Sequence, residues 1–270
     1  MGRDRVNIKN RKSSKPVLWL ILTVIALLIV LLVCDLILSM VSTAQWVKKS
    51  NQTYLMEGPV KADSLLIAAP DLIHLQKRIA FTKSRLKMAA GDSAGLSLNL
   101  SDSILSLEIS GVTVHSVRIR EIAVSKSFSG LDQTTLTGMF SSPLRIAHSR
   151  STILKEVIID KFAHSDTSSA PTSLSIPDTS FKEPVFMEFI LENGIRILVL
   201  QQDIITKSEK RSRSVFLLNR AFLQAQRRLK QVFRFKIPVY SPQIQIVIPG
   251  SDARAIYRAL PEKGLVSVLM

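Results

Sequence analysis

The sequence predicts an α+β protein: one N-terminal transmembrane helix, a β-meander region, and a C-terminal mixed α/β unit of order ββαββαβ. Three observations carry this. Residues Val17 to Val33 (VLWLILTVIALLIVLLV) contain no charge, Gly or Pro. Between Leu96 and Val124 apolar and polar residues alternate at the period of a strand. In the last third, two apolar runs flank Asn193-Gly194, and helix-period and strand-period segments follow in turn.

Composition narrows the classes. The chain has 270 residues, a net charge of +15, 46% hydrophobic residues, one Cys and four His. That apolar share excludes wholesale disorder. A single Cys excludes a disulfide framework and a Cys-based zinc site in one chain.

The boundaries run as follows. Residues 1–16 form a basic tail with Arg3, Arg5, Lys9, Arg11, Lys12 and Lys15. Residues 17–41 form the expected span; Val17 to Val33 alone cover about 25 Å of helix, and continuing to Val41 exceeds the ~30 Å hydrocarbon core. Trp19 and Trp46, the two tryptophans, bracket it, as indole rings do at an interface. Asp35 falls after a full span of apolar residues, within reach of the outer headgroups. Only Lys48 and Lys49 follow closely, so the positive-inside rule puts the N-terminus in the cytoplasm and the rest outside, most simply in a bacterial periplasm. The apolar run is longer than a signal peptide's, so an uncleaved signal-anchor is favoured over cleavage after Ser42-Thr43-Ala44. Asn51 and Asn99 are glycosylation acceptors only in a eukaryotic host.

Residues 42–69 read as a polar tether. Residues 70–163 hold a helix to about Ala90, striped by Leu72, Leu75, Ile79 and Leu86, and then the meander. Strands are expected over Leu96–Leu100, Leu105–Ile109 and Val112–Val124, with more near 143–148 and 153–162. Residues 164–184, rich in Ser, Thr and Pro, are a loop. Residues 185–270 hold a hairpin with a type I′ turn at Asn193-Gly194 and a helix from about Ser214 to Val232. The expected inner stripe of that helix is Val215, Leu218, Phe222, Ala225, Leu229 and Val232. Short strands follow at 235–240 and 244–248, then a helix capped by Ser251, and a last strand Leu265–Leu269.

Several constellations bear on chemistry. Gly91-Asp92-Ser93-Ala94-Gly95 matches G-x-S-x-G, and with the preceding RLKMAA it resembles the nucleophile elbow of the hormone-sensitive-lipase branch of α/β hydrolases. That resemblance implies Ser93 as nucleophile. The context opposes it, because a helix precedes and a strand follows, and no His-Gly-Gly-Gly motif lies upstream. His74, His115, His148 and His164 show no metal-ligand spacing, so no metal or other cofactor is expected. From 204 to 236 the chain carries Lys207, Lys210, Arg211, Arg213, Arg220, Arg227, Arg228, Lys230, Arg234 and Lys236 against Glu209 alone. Arg213, Arg220, Arg227, Arg228 and Lys230 are the candidate residues for an anionic partner: an anionic lipid, a cell-wall polymer or another envelope protein. Nucleic acid is not expected outside the cytoplasm.

The stretch IVIPGSDARAIYRALP from Ile246, running on to Val268, is similar to the tail of L,D-transpeptidase (YkuD-type) domains. In that register the family's Cys, His and Arg positions hold Gln245, Gln243 and Val247, so the resemblance implies a non-catalytic relative in cell-wall metabolism. Taken together, the residues weigh against an enzyme and favour a single-pass, membrane-anchored binding or scaffold protein of the cell envelope. The alternatives are the transpeptidase-related protein and a Ser93 hydrolase.

Overall fold

The computed structural model describes residues 15–57, 70–155, 183–203, 206–232, 234 and 236–270. The basic tail up to residue 14, the expected strand beyond 155, His164 and nearly all of the 164–184 loop lie outside the described residues.

Helix α1 (Lys15–Glu57) runs 43 residues without a break. Among the described residues no helix is long and apolar enough to cross a membrane. This corrects the spanning helix expected over 17–41, and with it the membrane, single-pass and signal-anchor reading. The apolar run is instead the first half of a longer helix. Its side chains Trp19, Leu22, Ile29, Val30, Ile37 and Met40 are exposed. Residues 42–57 of the expected tether are corrected too; residues 58–69 lie outside the described residues. No Gly or Pro interrupts residues 42–57, and their inward face docks. Ser42 Oγ donates to the Pro238 carbonyl at 2.5 Å. The Trp46 ring meets Phe128 edge-on at 5.8 Å and Tyr240 at 5.9 Å, so it anchors the helix rather than marking an interface. Asp35 lies on α1, with its side chain outside the described residues.

Helix α2 (Pro70–Ala89) leads into β1 (Gly95–Asn99), β2 (Ile104–Ile109) and β3 (Val112–Arg118), an antiparallel meander as expected. Between β2 and β3, Ser110 and Gly111 both take positive φ (49° and 81°), so the type I′ turn is here. A bulge at Leu107/Glu108 shifts the phase of β3. Val112 and Val114, expected on the buried face, are exposed, while Val117 is buried: β3 is an end strand of the sheet, and only its last half reaches the core. Next come β4 (Glu121–Val124), a 3-10 turn (Lys126–Gly130), α3 (Gln133–Met139) and β5 (Leu144–Ser151).

The C-terminal part supplies β6 (Phe186–Leu191), β7 (Arg196–Gln201), α4 (Lys207–Val232), β8 (Gln243–Ile248), α5 (Gly250–Ala259) and β9 (Leu265–Leu269). The β6–β7 hairpin stands where Asn193-Gly194 put it, but only Gly194 of the pair has positive φ (82°). The Gly194 amide bonds the Leu191 carbonyl at 2.9 Å, closing a three-residue loop instead of type I′. Helix α4 starts seven residues before the expected Ser214 because Thr206 and Glu209 form a reciprocal capping box. The Glu209 carboxylate accepts from the Thr206 amide at 2.8 Å, and Thr206 Oγ1 accepts from the Glu209 amide at 3.3 Å. The described residues from 236 to 242 form no strand, and Ser251 does not cap α5, whose N-cap is Pro249.

The two expected units merge. All nine strands form one mixed sheet in the order β3-β2-β1-β9-β5-β6-β7-β8-β4. The end strands β3 and β4 are consecutive in the chain. Between them, the Ile119 amide bonds the Ser103 carbonyl at 2.8 Å and the Arg120 amide bonds the Val247 carbonyl at 2.9 Å. The two ends of the sheet are thus joined at one corner through residues 119–120, while β3 and β4 remain its end strands. Its interior takes every second side chain: Leu96 and Leu98, Leu105 and Leu107, Met187 and Phe189, Ile197 and Val199, Ile244 and Ile246, Val266 and Val268. The remaining side chains face outward, where α2 covers β9 and α4 covers Phe186, Leu198, Leu200 and Val247.

Candidate anion-binding site

The outward residues of β6, β7 and β8 set the chemistry under α4. Alternation that sends Met187, Ile197 and Ile244 inward sends Glu188, Arg196, Gln243 and Gln245 outward. Glu188 is 1% exposed and has no escape to water. Arg220, on the inward face of α4, donates from Nε to Glu188 Oε1 at 2.6 Å and from Nη2 to Gln243 Oε1 at 2.5 Å. Arg196 donates from Nη1 to the same Glu188 oxygen at 3.3 Å.

One carboxylate thus serves two covered guanidinium groups, and more positive charge stands nearby. Arg227 and Arg228 line the same cavity of about 240 Å³, with Arg196, Arg220, Gln224, Gln231, Ser241 and Gln243. Among the described residues neither Arg227 nor Arg228 has an ion-pair partner. Arg196 Nε is buried with no hydrogen-bond acceptor. Burial holds the Arg196 guanidinium below its usual range; Glu188 opposes that shift, and the charges of Arg220 and Arg227 add to it. This is a small polar cavity with surplus donors and surplus positive charge, which suits an oxyanion.

Of the residues expected to meet an anion, Arg220, Arg227 and Arg228 are brought together at this cavity. Arg213 and Lys230 are exposed and do not line it, whereas Arg227 lines it from an exposed position and Arg228 from a half-buried one. Arg196 and Glu188 were not anticipated. The available signal was their place as outward-facing charges in strands whose alternate residues are all apolar. The expected inner stripe of α4 is corrected outright: Val215, Leu218, Phe222, Leu229 and Val232 are all exposed. Phe216 and Leu217 make the apolar contact with the sheet, and Arg220 is the polar strut beside them. The α2 stripe is corrected in the same way, with Leu75, Ile79 and Leu86 exposed and Ala80, Phe81, Ser84 and Met88 buried.

The other candidate residues stay apart from this site. Ser93 is exposed in the turn between α2 and β1, a helix-to-strand order opposite to a nucleophile elbow. His115 Nε2 meets Asp252 Oδ1 at 3.1 Å and ties β3 to α5. Among the described residues no three potential metal ligands cluster. No family model matches the chain, and neither any curated protein nor any solved structure matches it.

Proposed function

We propose that the chain is a binding or scaffold module of the cell envelope that holds an oxyanion, a phosphate or carboxylate group of its partner, in the cavity beneath α4. The single observation that carries this is the charge imbalance at the cavity: Arg196, Arg220, Arg227 and Arg228 all line it, Glu188 pairs with the first two, and Arg196 Nε is buried without an acceptor. Buried structural ion pairs are normally balanced, because an uncompensated buried charge is costly. An incoming anion supplies the missing acceptor and the missing charge together. A place beyond the cytoplasm belongs to the same reading, supported by the absence of Cys after Cys34.

The test is calorimetric titration of the full chain with inorganic phosphate and, separately, citrate, against chloride at equal ionic strength. Binding should weaken at least tenfold in Arg227→Ala/Arg228→Ala, which leaves the Glu188 pairs intact. Equal heats from phosphate, citrate and chloride would end the proposal. A silent alkaline phosphatase fusion at the C-terminus would end its envelope part alone.

A second reading has one observation in its favour. Gln243 and Gln245, the positions that the transpeptidase resemblance assigns to His and Cys, both lie on the outer face of β8, and Gln243 lines the arginine cavity. In that reading the chain is a non-catalytic relative that retains a ligand groove for wall peptides, whose carboxylates suit the same arginines. Citrate binding without phosphate binding would favour it.

A further inference from the structure

The outward face of α4 carries Val215, Leu218, Phe222, Ala225, Leu229 and Val232, spaced 3, 4, 3, 4 and 3 residues apart. This is the a/d seam of a coiled coil. In a helix lying on its own sheet such a seam would face inward. Here it faces solvent: Val215 is 56% exposed, Leu218 69%, Phe222 67%, Leu229 53% and Val232 37%. We propose that a second copy of this chain docks on this face, α4 against α4. The proposal rests on a different observation from the anion cavity, with which it shares Arg228 at the border of the seam.

Charge selects the occupant. From Ser214 onward the positions bordering the seam are Ser214, Asn219, Ala221 and Gln226, with Arg228 as the charged exception, while Lys207 and Arg211 carry positive charge onto the same face in the first turns of α4. Arg213, Arg220 and Arg227 fall on the far side. Two identical helices crossing over residues 214–226 therefore meet through neutral borders, with Arg211 and Arg228 toward the two ends of the contact, whereas a seam bordered throughout by Lys and Arg would repel its copy. Helix α2 makes the contrast. Its exposed Leu75, Ile79 and Leu86 are bordered by Arg78 and Lys83, so it cannot pair with its own copy in this way. The neutral borders also disfavour an anionic lipid surface, since a helix lying in a bilayer interface is flanked by basic residues. Covering the exposed seam side chains in both copies buries on the order of 1,000 Å², the lower bound for a specific interface.

Sedimentation equilibrium of the full chain tests the proposal. The wild type should have twice the monomer mass. Leu218→Asp/Phe222→Asp should halve it, with unchanged far-UV circular dichroism because both positions are exposed. As a second measurement, in a Cys34→Ser background, Ala225→Cys should give a covalent dimer with a short bis-maleimide, and Arg213→Cys should not. A monomeric wild type overturns the proposal. So does a dimer that survives the double Asp variant, which would place self-association elsewhere, for example on the apolar half of α1. A wild type that is monomeric but co-sediments with phosphatidylglycerol vesicles, losing this in the Asp variant, overturns it in favour of a lipid surface.

Discussion

The two outer faces of the sheet carry the same device with opposite results. Under α2, Glu108 is 2% exposed and accepts from Ser97 at 2.6 Å and from Arg85 Nε at 3.1 Å. Under α4, Glu188 is 1% exposed and accepts from Arg220 and Arg196. In both, a strand glutamate is neutralised by an arginine of the covering helix. Around them the packing diverges. Helix α2 seats Ala80, Phe81, Ser84 and Met88 fully, and the buried Ser84 and Ser267 hydroxyls bond at 2.8 Å. Helix α4 buries no residue fully, and it borders both the arginine cavity and a second of about 410 Å³ at Arg150, Glu188, Phe216 and Leu223. A charge pair of one carboxylate and one arginine beside close packing is architecture. The same pair beside open volume, with spare arginines around it, is a site.

The largest test of this contrast is removal of the two carboxylates. Glu188→Gln leaves Arg196 and Arg220 covered without a counter-charge and should cost about 3–5 kcal/mol in urea unfolding. Glu108→Gln should cost about 1–3 kcal/mol, because Arg85 is 38% exposed and turns to water. Equal losses would mean that the two faces do not differ electrostatically. Packing comes next. A Cβ on Gly95 would sit 2.3 Å from Met88 Sδ, so Gly95→Ala should destabilise by about 1–3 kcal/mol and Met88→Val should recover part of it. Gln224→Leu over the open cavity should move the urea midpoint almost imperceptibly, and a large loss there would show that α4 packs as closely as α2.

Smaller effects sharpen the picture. Ser84→Ala strands the Ser267 hydroxyl and should cost about 1 kcal/mol, whereas Ser84→Ala/Ser267→Ala should recover much of that, a double-mutant signature of a sealed pair. Arg227→Ala/Arg228→Ala should raise stability by about 0.5 kcal/mol at low salt by relieving repulsion on Arg196, and the gain should vanish in 1 M salt. Destabilisation at both salt concentrations would mean that these arginines hold the fold.

Local periodicity made much of this legible. The β1–β2 pair, the β6–β7 hairpin, β8 and β9 stand within a residue or two of where alternation placed them, whereas the expected 112–124 strand breaks at 119–120 into β3 and β4 at opposite ends of the sheet. An interior filled by every second residue writes its own pattern into each strand. Arg220, Arg227 and Arg228 were legible as a basic cluster for the related reason that charges gather on one part of a helix. The stripes on α2 and α4 misled. Helical spacing marks an apolar face without saying what covers it, and here the faces on the sheet are built from Phe81, Ser84, Phe216 and Arg220 instead. The seams left outside mark surfaces that the single chain does not fill.

By itself the sequence determined where most of the strands run, which strand faces are greasy, and that positive charge concentrates between 204 and 236. Those properties depend on neighbours a few residues apart. Only the tertiary structure decided that β9 lies beside β1, that β3 and β4 join the ends of one sheet, and that Arg196 meets Arg220 over Glu188. Those contacts link residues far apart in the chain, held by pairing and burial that no local period records.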